Sequence, residues 1–347
     1  MMLQQRSPVL RERISAPIAR ILDVQGPDGL IPWFEGGPWD SWNHSECVMA
    51  LGVAGELEAA RRGMEALVAA QRPDGGFLSD YGNALPMADH VSIARVPAPQ
   101  VLDTNFTAYV ATALEHYRLL FGTREARPFW PMVRAAIDHL LDHQHEIGDI
   151  SWCAEAHGSG LDDALLAGNA SINASLGHAL ELAAAFREPQ PRWQAARGLL
   201  GDAIRTRTDR FGRSGQDRGY HAMDWYYPVL TGVLAGEQAR DHLRGEWDHF
   251  VQTDLGCRCV ANEPWVTVAE TCELVMALLR AGMDREAGKL LELVEGRRDS
   301  AGAFWMGWQW VERIDWPAEK PTWTQAAYVL ALDMFEGITP ANRIFAD

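Results

Sequence analysis

Residues 62–77, Arg62-Gly63-Met64-Glu65-Ala66-Leu67-Val68-Ala69-Ala70-Gln71-Arg72-Pro73-Asp74-Gly75-Gly76-Phe77, decide the fold. They carry an apolar stripe at helical spacing that runs into Asp-Gly-Gly. A glycine four residues after Gln71 suits a helix C-terminus, because glycine reaches the left-handed backbone region at little cost. The same Gln-to-Gly spacing recurs at Gln25/Gly29, Gln144/Gly148 and Gln252/Gly256, and copies without the glutamine stand at Thr208/Gly212 and Arg298/Gly302. Six helix ends are therefore spread over the whole chain, and a repeat of this kind dictates architecture before any local reading does.

Each helix end is followed by a connection and then by a second, more apolar helix. These start near Asn43, Asp103, Asp162, Asp224, Val266 and Thr322. The first helix of each pair, as in ELEAARRGMEALVAAQ, is charged along one face and belongs outside. The second, rich in Ala, Leu, Val and Gly all round, belongs inside. Alternation at a period of two is nearly absent, so strands should be few and short. Six outer–inner pairs close naturally into an all-α (α/α)6 toroid. It is expected as one domain over residues 1–347, with Met1 to Ile14 as a peripheral arm.

Composition bounds the partners. Of the 347 residues 47% are hydrophobic and 22% charged, ordinary values for a globular protein, while the formal net charge of -16 repels nucleic acid and anionic membranes. No run reaches the roughly 18 apolar residues that a membrane span needs. Five cysteines, an odd number, read as reduced thiols in a cytoplasmic protein. The 14 tryptophans cluster, with Trp33, Trp39 and Trp42 near the start and Trp305, Trp308, Trp310, Trp316 and Trp323 near the end. Such clusters in Gly/Pro-rich connections suggest a lined cleft. A small-molecule substrate is the partner this implies; the oligomeric state is not readable.

The stretch from Arg62 to Phe77 resembles the QW repeat of terpenoid cyclases: a basic residue, Gly, an aliphatic, then Gln71, Gly75 and an aromatic. It departs from that pattern at Ala66 and Phe77. The resemblance to the terpenoid cyclase and protein prenyltransferase toroids covers the whole chain as architecture. Of the chemistry it implies, little is intact. Asp103-Thr104-Asn105-Phe106-Thr107-Ala108 has the frame of the cyclase DxDDTA motif, but Asn105 stands where the proton-delivering acid belongs. Gly160-Leu161-Asp162-Asp163-Ala164 keeps two acids, which makes Asp162 the better cyclase-type acid. Cys257-Arg258-Cys259 lacks the spacing of the prenyltransferase zinc site, and no DDxxD magnesium motif occurs. Cys257 and Cys259 with a distant His stay open as metal ligands; otherwise no metal and no cofactor is expected.

Helix direction locates the site. The inner helices all begin after the longer connections, so their N-termini gather at one mouth, where helix dipoles favour acidic groups. The candidate acids there are Glu46, Asp103, Asp162, Asp163, Asp224, Glu270 and Glu273. Capping alone accounts equally well for Asp103, Asp162 and Asp224. Glu46, Glu270 and Glu273 lie inside apolar runs, where an unpaired carboxylate is expensive unless it faces a cavity. Glu270 and Glu273 share one helix face, and close acids push one pKa upward, toward a general acid near neutral pH. Glu270→Gln is therefore expected to abolish turnover with little change in melting temperature. Asn43, His44, Asn105, Asn169, Trp225, Tyr226, Arg258, Trp265, Gln309 and the clustered tryptophans are the candidate substrate contacts. His90, His116, His139 and His178 are read as structural. Three functions follow: an acid–base enzyme on a sugar-like substrate, by hydrolysis, elimination or epimerisation; a terpenoid cyclase or prenyltransferase; or a non-catalytic binding toroid.

Overall fold

The computed structural model describes residues 8–82, 101–155, 162–213 and 219–346. In chain order it comprises α1 (Pro8–Val24), α2 (Ser41–Ala54), α3 (Leu57–Ala70), β1 (Val101–Asp103), α4 (Thr104–Phe121), the short α5 (Thr123–Ala126), α6 (Trp130–Leu141) and β2 (Cys153–Glu155). There follow α7 (Leu166–Phe186), α8 (Pro191–Thr206), α9 (Ala222–Leu230), α10 (Gly236–Gly245), the short α11 (Trp247–Phe250), β3 (Val251–Gln252) and β4 (Gly256–Cys257). The chain ends with β5 (Trp265–Thr267), α12 (Val268–Arg280), α13 (Asp284–Glu295), β6 (Gly307–Gln309), β7 (Ile314–Asp315) and α14 (Thr322–Glu336). Helices α2, α4, α7, α9, α12 and α14 pack each against the next, and α14 returns to α2, so the inner ring is closed. Helices α1, α3, α6, α8, α10 and α13 lie outside it. The toroid is the one that the repeat dictates.

The two rings differ as their sequences do. In α2 every residue from His44 to Val53 is buried, whereas α3 buries one stripe, with Ala60, Gly63, Met64 and Leu67 facing the ring. Leu51, Leu114, Leu176, Leu274 and Leu332 are fully buried on the inner helices, each contributing about 1.5–3 kcal/mol of transfer free energy. Strands are few and short, two or three residues each, and lie in the connections at the mouth.

The repeat has a physical cause. The side-chain amide of Gln71 donates to Gly75 O in its own turn and to Met132 O on α6, both at 2.9 Å. Gln25 bridges Gly29 O and Ala59 O on α3, and Gln144 bridges Gly148 O and Ala196 O on α8, in the same way. Each amide thus fastens one outer helix to the next. Gly75, at φ 92°, passes so close to α6 that a Cβ would collide with the Ala135 carbonyl. At the last copy Arg298 replaces the amide, donating to Gly302 O and to Arg13 O on α1, and so closes the outer ring. Gln252 makes no such bridge; its Oε1 accepts from Arg258.

Of the expected N-terminal arm, residues 8–14 are described. They open α1, whose Ile14, Ile18 and Ile21 join the core, while Arg13 pairs with Glu295 and Glu336. At the end opposite the mouth, Ile344 and Phe345 close the ring, with Ile344 O bonded to His178 Nε2 at 2.9 Å.

Candidate active site

The mouth is built from the first turns of the inner helices. On α4, Asp103 is the N-cap and accepts from Phe106 N at 2.9 Å, and burial pushes its carboxyl up to about 7. On α9, Asp224 reaches across to accept from Ala167 N at 2.8 Å in the first turn of α7, so it caps a neighbour rather than its own helix. Asp103 and Asp224 line one cavity of about 150 Å³, together with Trp42, Asn105, Trp152 and Gly168. Asn105 is 5% exposed and its Oδ1 has no partner, an acceptor aimed at whatever fills the cavity. On α12, half-buried Glu270 accepts from the Thr267 hydroxyl and lies against Cys259.

A second group of acids lies deeper along the axis. Glu273 accepts from the hydroxyls of Tyr226 and, at 2.7 Å, Tyr227, while Glu46 accepts from Trp42 Nε1 at 2.9 Å and from Tyr109 at 3.4 Å. Burial raises both carboxyls, helped by the charge of Glu273 at Glu46 and by that of Glu270 at Glu273, which reaches about 7. The space beside them measures about 10 Å³, room for a single water at most. Glu46 and Glu273, expected as catalytic acids, stand around this smaller space, the floor beneath the mouth cavity.

Other expected contacts are bonded within the protein, Asn169 among them although it also lines the mouth cavity. His44 is fully buried; its Nδ1 accepts from Ile31 N at 3.1 Å, its Nε2 meets Gly63 O at 2.9 Å, and burial lowers it to about 4. Asn169 spends its amide on the backbone of Ile150 and Leu165, and Asn43 bonds Asp40 through N and Nδ2. Trp33 donates to Asp40 at 2.7 Å and packs edge-on to Trp323, Trp39 stacks on Tyr81, and Trp225 stacks on Phe250. Arg258 ties down His249 O, Ala261 O and Gln252 beneath Trp310. Trp305 lies beside Lys320 and Trp308 beside Arg297.

Asp162 is misplaced as a cyclase-type acid. Its side chain is 80% exposed and pairs with Arg213 at 2.7 Å, which lowers its pKa, the wrong direction for a proton donor near neutral pH. Asp163 accepts from Ala164 N and Arg213 N and holds that loop. All five cysteines are unpaired, and among the described residues no group of three or more His, Cys, Asp or Glu is placed to hold a metal. His90, Gly160 and Leu161 lie outside the described residues. The sequence reading missed Asp40, Tyr109, Trp152 and Tyr227. The tyrosines carried a signal, as polar-tipped aromatics inside helices placed in the inner ring.

No family model matches the chain. It is 43% identical over 326 residues, 94% of this chain and 86% of the relative, to the MMP endo-(1,4)-3-O-methyl-α-D-mannosidase of Mycolicibacterium hassiacum. Among solved structures it superposes on a D-mannose isomerase (TM-score 0.68, 12% identity, 96% of this chain and 98% of that one). A sugar epimerase from a ruminal bacterium gives 0.69 at 11% identity (95% and 98%), and a glycosidase in complex with glucose gives 0.65 at 15% (95% and 97%). At such identities these structures speak for the fold, an α/α toroid, and they are toroids of sugar enzymes rather than of terpenoid cyclases. Among the described residues no helix is long and apolar enough to cross a membrane. The chain belongs to the family of the M. hassiacum mannosidase, and it is an acid–base, carbohydrate-active enzyme.

Proposed function

We propose that the protein hydrolyses α-(1,4) bonds within chains of 3-O-methylmannose. The observation that carries this is the 43% identity, over nearly the whole chain, to an enzyme whose name states that activity. The cavity supports it chemically. Asp103, its carboxyl raised to about 7 by burial, donates its proton to the glycosidic oxygen as the bond to C1 breaks. A second mouth carboxylate, Asp224 in the same cavity or Glu270 in the first turn of α12, either attacks C1 or takes a proton from the attacking water. Asn105 Oδ1 accepts from a sugar hydroxyl, and Trp42 and Trp152 offer ring faces. The five unpaired cysteines support a cytoplasmic setting.

The test is incubation with α-(1,4)-linked 3-O-methylmannose oligosaccharides, the products being read by mass spectrometry. Internal cleavage to shorter oligosaccharides, with one 18O per cut in H2 18O, is expected. Isomerisation or epimerisation of free mannose with no cleavage overturns the reading. Asp224→Asn and Glu270→Gln then separate the two carboxylates: the one that meets C1 or the attacking water loses about 10²–10⁴-fold in kcat and regains turnover with added azide. The other variant changes kcat little.

A further inference from the structure

Three of the exposed large apolar side chains lie within six residues of one hairpin at the mouth: Val311 is 64% exposed, Ile314 46% and Trp316 39%. The hairpin belongs to the antiparallel sheet β5–β6–β7, in which Trp265 pairs with Gln309, Thr267 with Gly307, and Gln309 with Ile314. Side chains alternate across a sheet and directly paired residues share a face. Thr267, Trp265, Gln309 and Ile314 therefore stand on one face. Trp316 joins them, its ring 5.2 Å from that of Trp265 in an edge-to-face contact. Gly307 makes room, since a side chain there would run into the Trp265 indole. The opposite face is occupied, with Trp308 covered by Arg297 and Val266 bridged to Arg258.

The open face is continuous with the reacting end of the molecule. Thr267, on that same face, holds Glu270 through its hydroxyl, and Trp265 stands two residues further out along β5, about 7 Å away. The result is a strip of two indoles and Ile314, with Val311 exposed in the turn beyond, leading outward from a mouth acid. Gln309 adds an amide whose Oε1 is fixed by Glu312 N at 2.7 Å, leaving its NH2 group for a ligand oxygen. A soluble surface rarely concentrates apolar area in this way without a ligand. An ordinary hexose chain offers rings and hydroxyls; a chain carrying O-methyl ethers also offers apolar points that suit Val311 and Ile314.

On this basis, and resting on the proposed activity, we infer that the open face of β5–β6–β7 is an outlying subsite for an O-methylated glycan chain, holding the part of the polymer that extends beyond the cut bond. It explains how a mouth cavity of about 150 Å³ serves a polymer: the bond sits in the cavity and the chain lies along the strip.

The experiment compares, on the intact protein, the shortest 3-O-methylmannose oligosaccharide that is cleaved with one several residues longer. Wild type is expected to show about tenfold higher kcat/KM on the longer chain. Trp316→Ala and Ile314→Asp each remove most of that advantage, and Ile314→Asp leaves the short substrate unchanged. Both positions are exposed, so melting temperatures should stay near wild type. Binding without turnover, followed by tryptophan fluorescence in Asp103→Asn, should weaken about tenfold when Trp316→Ala is added. Equal length preference in wild type and both variants overturns the subsite while leaving the hydrolase standing. Equal losses on unmethylated α-mannan oligosaccharides overturn its preference for methyl ethers. A wild type that neither cuts nor binds any of these chains overturns the proposed function and the subsite together.

Discussion

The barrel axis carries two tiers of carboxyl groups, and they have opposite fates. Asp103 and Asp224 line a cavity of about 150 Å³ at the mouth, and half-buried Glu270 stands in the first turn of α12. Glu46 and Glu273 stand beneath that cavity around a space of about 10 Å³, tied up by Trp42, Tyr109, Tyr226 and Tyr227. The separation is small: Glu46 is four residues past Trp42 and Glu273 three past Glu270, about 4.5–6 Å of helix rise. About one turn of helix divides the acids at the mouth from acids packed among other protein groups. Both tiers contain a carboxyl raised to about 7 by burial, so a raised pKa does not itself mark catalysis; the room beside it does.

The largest effect expected from this division is at Asp103. Asp103→Asn should lower kcat by about 10³-fold, in line with loss of a general acid, while the amide oxygen keeps the cap on Phe106 N and costs little stability. With the donor near 7, wild-type kcat should fall about tenfold per pH unit above that value, and the variant should lose that limb. A pH–rate profile in Asp103→Asn that keeps the alkaline fall would remove Asp103 from the proton-donor role.

The ring was legible in the sequence because Gln–Gly combines two demands that no other pair meets as well: a left-handed turn pressed against a neighbour's carbonyl, and an amide reaching two carbonyls at once. Where the pairing fails, at Gln252, helix order alone carried the reading. Depth along the axis was not legible. Glu46 and Glu273 were rightly placed inside the ring, but one turn of rise has no signature in a run such as VAETCELVMALL. Tryptophan was ambiguous for a different reason: the same indole serves a core, as Trp225 does on Phe250, or a cleft, as Trp42 does. Asp162 was misjudged because its partner, Arg213, lies 51 residues away in sequence.

The lower tier should reveal itself in stability rather than rate. Glu273 has a folded pKa raised to about 7 from 4.5, so its contribution is fully present below the unfolded value and is lost as pH rises toward 7. Glu273→Gln removes the buried charge while keeping an acceptor for Tyr226 and Tyr227. The variant should therefore be close to wild type near pH 4.5 and gain on it up to pH 7, by about 3 kcal/mol, with the difference level above. Denaturant titrations across that range measure it. A difference that shrinks as pH rises would mean that Glu273 is ionised at little cost, and that the floor is wetter than its 10 Å³ allows.

The smallest effect joins the tiers. Glu46 accepts from the indole N–H of Trp42, and Trp42 lines the cavity, so Glu46 acts on substrate only through that ring. Glu46→Gln keeps an oxygen for the indole and should leave both kinetic constants within about twofold. Glu46→Leu removes the acceptor and frees the ring to tilt. Lost positioning of a platform weakens ground state and transition state alike, so KM should rise about three- to tenfold with kcat nearly unchanged. Rescue by glutamine is what a merely structural role would not show, because a packing defect would follow side-chain shape rather than the acceptor. If Glu46→Leu instead lowers kcat as far as Asp103→Asn does, the floor takes part in the chemistry, and the division drawn between the two tiers fails.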